Sequence, residues 1–335
     1  GYDTRLLLAL FRHCGVSPEL FVYGASDSTD VLLAQRIAAT EGLRIRHIDA
    51  SVLPAVSPEE VPDLIAAKFG REDGLPSGGI FDSHADLIQR ADRHAPGYLH
   101  VNGGGGEVFR NFFNLFDRGV TYRQFVWLFY SQYDPADCVS DFDPVAYEDA
   151  ICSKISALLG TEEQGLDRRE VEVLYPHFRC RSWFGRENSV NSRFGYSVLP
   201  FYERRIVNAA LAVPIRQKHF GDFEARMIRA VDPALAAYPS SYGYSFIADA
   251  PLSARLRAIA RYTRPLALRR YSYRIKNRLR AKMHPAFLAP EFMGRAVAPD
   301  LPRMRRYFHA PELCSSPQFN RIATLEYLFD QLQAE

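Results

Sequence analysis

Apolar positions recur at helical spacing from the start of the chain. Leu7, Leu10, Phe11 and Cys14 follow i, i+3, i+4, i+7 across residues 3–14, and Gly15 supplies the stop. The pattern then changes. Leu20-Phe21-Val22-Tyr23 is a continuous apolar run closed by Gly24, which predicts a short buried strand. Ser26, Asp27 and Ser28 offer N-caps for a second helix reaching Glu41, with Gly42 as its terminator. Residues 43–48 alternate partially and predict a second strand. Helical spacing resumes near 58–69 and 80–94, and Tyr98–Val101 reads as a further strand. Alternating strands and helices with short connections predict an α/β fold, a parallel sheet covered by helices.

Strand signals fade beyond about residue 118. Helices are expected near 121–133, 144–159, 167–180, 203–213, 222–231, 252–281 and 316–333. The expected division is therefore an α/β part over 1–119 and a mainly helical part over 120–335. The chain starts on a helix, so a first strand is expected upstream of Gly1. No internal repeat is visible.

Composition excludes more than it selects. The 335 residues suit one large or two moderate domains, with 47% hydrophobic and 24% charged positions typical of a globular protein. A net charge of +2 gives no global bias towards nucleic acid or membrane. No apolar run approaches the ~18 residues of a membrane span, and no leader is recognisable. Cys14, Cys138, Cys152, Cys180 and Cys314 are scattered without C-x-x-C spacing, which argues against a disulfide framework or zinc site and suits a reducing cytoplasm.

The candidate chemistry begins with Gly103–Gly106, four glycines after the apolar stretch Tyr98-Leu99-His100-Val101. Glycine lets backbone approach a ligand closely and adopt positive φ. A loop of this kind at a strand end can hold phosphate on its amide N–H groups. In parallel sheets ligands lie beyond the C-terminal strand ends, where Gly24 and the tetraglycine run are both expected. Asp3, at the mouth of the first helix, reads from its position alone as a cap or as a metal ligand. Glu107 reads likewise as a helix-dipole partner or a metal ligand.

Three segments, taken in order, resemble a known family. Gly1-Tyr2-Asp3-Thr4-Arg5 looks like the tail of the pyrophosphate loop S-G-G-x-D-[ST] of asparagine synthetases. Residues 102–110 resemble that family's glycine-rich turn running into D-E-x-F. Pro200-Phe201-Tyr202-Glu203-Arg204-Arg205-Ile206-Val207, continuing to Val213-Pro214, resembles its P-F-x-D-x-x-[LV] helix ending in proline. The resemblance implies an adenine-nucleotide α-hydrolase-like sheet over 1–119 and a substrate-side helical region over 120–335. It implies an ATP-dependent, amide-forming ligase of the cytoplasm that activates a small-molecule or peptide carboxylate as an acyl-adenylate and releases pyrophosphate. Ammonia would come from a glutaminase domain or partner, or an amine of the substrate itself would attack. ATP and Mg²⁺ are the implied cofactors. Gly1, Tyr2, Asp3, Thr4, Gly24 and Gly103, Gly104, Gly105 and Gly106 would bind nucleotide, and Asp3 and Glu107 would hold the metal. Glu107, Arg226 and Arg229 would serve catalysis.

The chain departs from the family pattern at charged positions. The second-loop Asp aligns with Gly106, and a catalytic Glu three residues earlier aligns with Gly103. One lysine aligns with Ala225, ahead of Arg226-Met227-Ile228-Arg229. A second falls within Pro239–Tyr244, which contains none. Arginine can substitute for lysine electrostatically but not as a base at neutral pH. These losses leave a second reading open, a catalytically degenerate nucleotide-binding or scaffold homologue in a biosynthetic system.

Other features admit plain and functional readings. Arg110 is a phosphate contact or a surface charge, and Asp30 a nucleotide contact or a dipole partner. Gly78-Gly79 is a turn or a substrate-side loop. Arg179, Arg181, Trp183, Arg186 and Asn188 form a carboxylate grip or arginines packed on aromatics. His47 and His177 read as structural. Residues 253–282 carry eleven Arg and Lys and no acid, with Tyr262, Tyr271 and Tyr273 interleaved. That stretch reads as a solvated helix pair, or as a contact for a polyanion or anionic lipid; no specific nucleic acid is expected.

Overall fold

The computed structural model of the chain describes residues 1–49, 52, 56–74, 78–139, 141–161, 165–278, 286–309 and 317–332. It is mainly helical α/β, 60% helix, with strands that pair only in twos. Helix α1, Tyr2–His13, buries Leu6, Leu7, Leu8 and Ala9. Strand β1, Leu20–Gly24, lies parallel to β2, Ile45–Asp49, in the register Leu20↔Ile45. Helix α2, Thr29–Glu41, connects them as the caps predict. Ser28 Oγ accepts from the Val31 N–H, and Gly42 ends the helix in the left-handed region at φ 65°.

Helices α3, Val61–Arg71, and α4, Ala85–Arg93, follow. The second starts later than its pattern suggests. Ile80 and Phe81 are fully buried, and Asp82 accepts the His84 N–H, so the chain turns before the helix begins. Strand β3 is only His100–Val101, because Tyr98 and Leu99 remain exposed. It pairs in parallel with β6, Ser197–Val198. Strand β4, Val120–Thr121, pairs antiparallel with β5, Gly165–Leu166.

The helical region follows its periodicity closely. Helices α5, Tyr122–Phe129, and α6, Pro144–Leu159, precede α7, Arg168–Leu174. Expected helix 167–180 changes register where Pro176 removes a backbone donor, and Tyr175–Cys180 form a π turn. Then come α8, Phe184–Asn191, α9, Arg204–Ala212, α10, Ile215–Lys218, α11, Asp222–Val231, and α12, Pro233–Ala237. Pro265 splits the expected helix 252–281 into α13, Leu252–Thr263, and α14, Leu266–Arg278. Residues 279–281 lie outside the described residues. Helices α15, Pro290–Met293, and α16, Pro317–Gln331, complete the order; residues 316 and 333 of the last expected helix are likewise outside.

Two compact units emerge, each assembled from three segments. The first comprises Gly1–Val52, Ala91–Phe125 and Ile155–Pro265; the second, Leu53–Arg90, Val126–Lys154 and Leu266–Glu335. In the first, α1 packs on α11, and Leu8, Ala9, Ile37 and Leu235 form one buried cluster. In the second, Val61, Ile65, Ile80, Phe81, Met293, Leu301 and Ala323 belong to the core. The Asn320 amide there clasps the Phe81 backbone, accepting its N–H at 3.0 Å and donating to its carbonyl at 2.9 Å. Gly79 sits beneath Asn320 at φ 94°, where a Cβ would come within 2.1 Å of Oδ1, so this glycine serves a turn. Cys14, Cys138, Cys152 and Cys180 are free thiols, and Cys314 lies outside the described residues. Among the described residues no helix is long and apolar enough to cross a membrane.

Candidate functional site

The opening turn and the tetraglycine bend meet within the first unit. A Cβ on Gly103 would come within 3.0 Å of the Asp3 carbonyl carbon and 3.2 Å of the Thr4 nitrogen. One on Gly106 would come within 2.2 Å of Asp3 Oδ1. Gly104 lies against Phe184, and Gly105, at φ 93°, lies against the Tyr202 ring at 2.4 Å for an added Cβ. Thus four glycines are used because α1, α8 and the Pro200–Tyr202 turn press on the bend from different sides. Two of its amides are already committed. Gly104 N–H donates to Asn102 Oδ1 at 2.7 Å and Gly106 N–H to the Gly103 carbonyl at 3.3 Å.

Three carboxyl groups gather around one guanidinium. Arg110 follows the Gly106–Phe109 turn, and its Nη2 donates to both Asp3 oxygens at 2.8 Å. The same nitrogen is 3.9 Å from Glu107 Oε1, and Arg110 Nε is 3.0 Å from Glu224 Oε2. The guanidinium also lies over the Tyr2 ring, 5.4 Å from its centroid, and approaches the Tyr242 hydroxyl at 3.4 Å. Burial opposes its charge, but Glu224, Asp3 and Glu107 together hold it above the ordinary arginine range.

Glu224, on the buried face of α11, is fully enclosed. Neither of its oxygens has a well-aligned hydrogen-bond donor, since Arg110 Nε lies near but out of line. Burial, and then the Asp3 charge, push its carboxyl well above the usual range. A proton on Glu224 converts it into a donor towards Asp3, which resolves the lack of a partner. Burial likewise raises Asp3, with Arg110 pulling the other way. Glu107 Oε2 accepts from the Tyr175 hydroxyl at 2.7 Å, and burial, then Glu107, keep that phenol protonated.

A cleft of about 370 Å³ opens beside this cluster, lined by Tyr2, Glu107, Arg110, Tyr242, Arg257 and Arg261, among others. Its floor requires an unusual backbone. Phe220 sits at φ 63° and Gly221 at φ 82°, and a Cβ on Gly221 would meet the Tyr2 ring at 2.8 Å. Tyr2 itself stacks on Phe246 at 4.2 Å and bonds the Tyr244 hydroxyl at 2.9 Å.

Asp3 and Glu107, the expected metal ligands, are brought together, with Gly1, Tyr2, Thr4 and Gly103–Gly106 beside them. Their donor set does not suit a resident Mg²⁺. Both Asp3 oxygens already accept from Arg110, Glu107 is held by Tyr175, and Glu224 favours its neutral form. Among the described residues no group of three or more His, Cys, Asp or Glu is arranged to hold a metal ion. Gly24 stands at the end of β1, its carbonyl 2.8 Å from His47 Nε2. Asp30 stands in the first turn of α2.

Arg226 and Arg229 are not part of the carboxyl cluster. Both pair with Asp249, at 3.1 and 3.5 Å, on the outer face of α11. Arg179 lies over Trp183 at 4.5 Å and over Phe112 at 5.2 Å, the packed-arginine arrangement, and His177 is exposed. In the basic stretch, Arg255 pairs with Asp222 at 2.5 Å and Arg274 with Asp134 at 3.7 Å, so acids elsewhere meet part of the run. Arg280 and Lys282 lie outside the described residues, as do the side chains of Tyr273, Lys276 and Arg278.

Two participants escaped sequence reasoning. Glu224 shares a helical face with Ala225 and Ile228, and an acid on an apolar stripe is the signal that points to it. Tyr175 precedes a proline within a helical pattern, which marks the register change but not its partner. No protein-family model matches the chain, and no curated protein matches it.

Proposed function

We propose that the chain handles an adenine nucleotide at the meeting point of its opening turn and tetraglycine bend, as an asparagine synthetase-like, amide-forming ligase on an adenine-nucleotide α-hydrolase-like α/β framework. In this reading a carboxylate oxygen of the substrate attacks the α-phosphorus of ATP and the bond to the β-phosphate breaks. Pyrophosphate leaves, and an amine then displaces AMP from the acyl carbon. The observation that carries the reading is the approach of Gly103 and Gly106 to Asp3, since it unites two segments selected independently in the sequence. Arg257 and Arg261 give the adjoining cleft cationic groups for a departing anion.

A specific observation favours a second reading. Asp3 is neutralised by Arg110, and Arg226 and Arg229 are turned to Asp249. A nucleotide-binding homologue without adenylation would tolerate both arrangements. ATP–pyrophosphate exchange across a panel of amino-acid and peptide carboxylates separates the two. Exchange that Asp3→Asn abolishes supports the ligase. Nucleotide binding without exchange supports the homologue, and the absence of nucleotide binding rejects both.

A further inference from the structure

We infer that Arg110 is a built-in replacement for a divalent cation, so that this site accepts its anionic ligand free of metal. The inference extends the nucleotide reading, although its first test does not depend on it.

The argument is one of position and charge. A divalent ion at Asp3 would have to sit within reach of the Asp3, Glu107 and Glu224 carboxyl groups. The Arg110 guanidinium occupies that place, 2.8 Å from both Asp3 oxygens, 3.0 Å from Glu224 and 3.9 Å from Glu107. It is held there from its open side by the Tyr2 ring and the Tyr242 hydroxyl. A planar cation with fixed donors satisfies carboxylates without the octahedral oxygen shell that Mg²⁺ demands. The backbone is shaped to the same end. Gly106 leaves no room for a further side chain beside Asp3, so the bend contributes no extra acid to the cluster. With Asp3 neutralised internally, an incoming anion meets Arg257 and Arg261 at the cleft wall instead of a metal. The ligand class is a phosphate or polyphosphate bound as the free anion.

Manganese binding, read by the loss of its free-ion electron paramagnetic resonance signal, tests the assignment. The native protein is expected to leave Mn²⁺ free. Arg110→Ala should gain one bound ion, with affinity rising on the order of 10-fold or more once the resident charge is removed. The further change Asp3→Asn should abolish the gain. Arg110→Gln, which keeps the planar end and drops the charge, replaces Arg110→Ala if the latter does not fold by circular dichroism. Two results overturn the inference: Mn²⁺ bound by the native protein and lost in Asp3→Asn, or a folded Arg110 variant that gains no ion. Calorimetric titration of pyrophosphate and ATP, with Mg²⁺ or with EDTA, reads the second half. Equal affinity in both conditions supports metal-free binding, and affinity seen only with Mg²⁺ overturns it. Absence of binding in both rejects the nucleotide reading together with metal-free uptake, while the Mn²⁺ result still decides the role of Arg110.

Discussion

At the scale of single residues, the site is governed by how little space the glycine bend leaves. Gly105→Ala forces a side chain into positive φ and into the Tyr202 ring. Chemical denaturation should show a loss of about 2–3 kcal/mol. Gly106→Asp, which introduces an acid at the position where the resembled turn carries one, should also destabilise, because its Cβ would lie 2.2 Å from Asp3 Oδ1. A melting temperature equal to the native value would show that the bend yields easily. Tyr175→Phe removes the only polar atom of that ring and the 2.7 Å bond to Glu107, at about 1 kcal/mol.

His219 gives the residue scale its pH dependence. Its Nδ1 accepts from the Asn111 amide at 2.8 Å, which requires an unprotonated nitrogen. Burial, and then the Arg168 charge, hold its pKa below the ordinary histidine value, while Asp117, Glu172 and Asp222 oppose this. The folded protein therefore binds fewer protons here than the unfolded chain. This contribution to stability is complete above about pH 6.5 and declines as pH falls through that value towards the lower folded pKa. Unfolding measured between pH 8 and pH 5 should show a shallower acid slope in His219→Gln than in the native protein. Equal slopes would assign the acid sensitivity elsewhere.

At the scale of elements, the helices were legible because their periods and punctuation are local. Ser28 and Gly42 bound α2 as their chemistry predicts, and residues 144–159 and 222–231 coincide with α6 and α11. The misses have equally local causes. Pro265 divides one expected helix, Pro176 bends another into a π turn, and buried Ile80 and Phe81 postpone α4. The short strands β4, β5 and β6 were invisible because two-residue pairings carry no period of their own. Within the site, Asp3 and Glu107 were reached through the resemblance of their segments to asparagine synthetases, since position alone left each open as a cap or dipole partner. The partnership of Arg110 with Glu224 was not legible, since it joins residues 114 positions apart. Helix α11 is the element that matters most here. Asp222, its first residue, ties the helix to the segment before α13 by accepting the Ala250 N–H at 3.0 Å and Arg255 at 2.5 Å. Asp222→Ala should lower stability by about 1–3 kcal/mol in thermal or denaturant unfolding, with the buried Ala250 N–H left unmet.

At the scale of the whole molecule, each compact unit is threaded from three separated stretches. Linear reading places a division near residue 119, but the walls of the glycine bend, Phe184 and Tyr202, belong to the segment Ile155–Pro265. A fragment of residues 1–119 is therefore expected to lack fixed structure, since α1 would lose α11 and the bend would lose its supports. Dispersed amide resonances from that fragment would show that the α/β segments are self-sufficient.

The contact of Gly106 with Asp3 also constrains how the site can be rewritten. An acid cannot enter at position 106 in one substitution without a collision, because a Cβ there would lie 2.2 Å from Asp3 Oδ1 while the guanidinium remains anchored. Removing Arg110 first takes the counter-charge away from Asp3 and Glu107. Either order passes through a weakened intermediate, so the two positions are interlocked, simple to keep and hard to exchange.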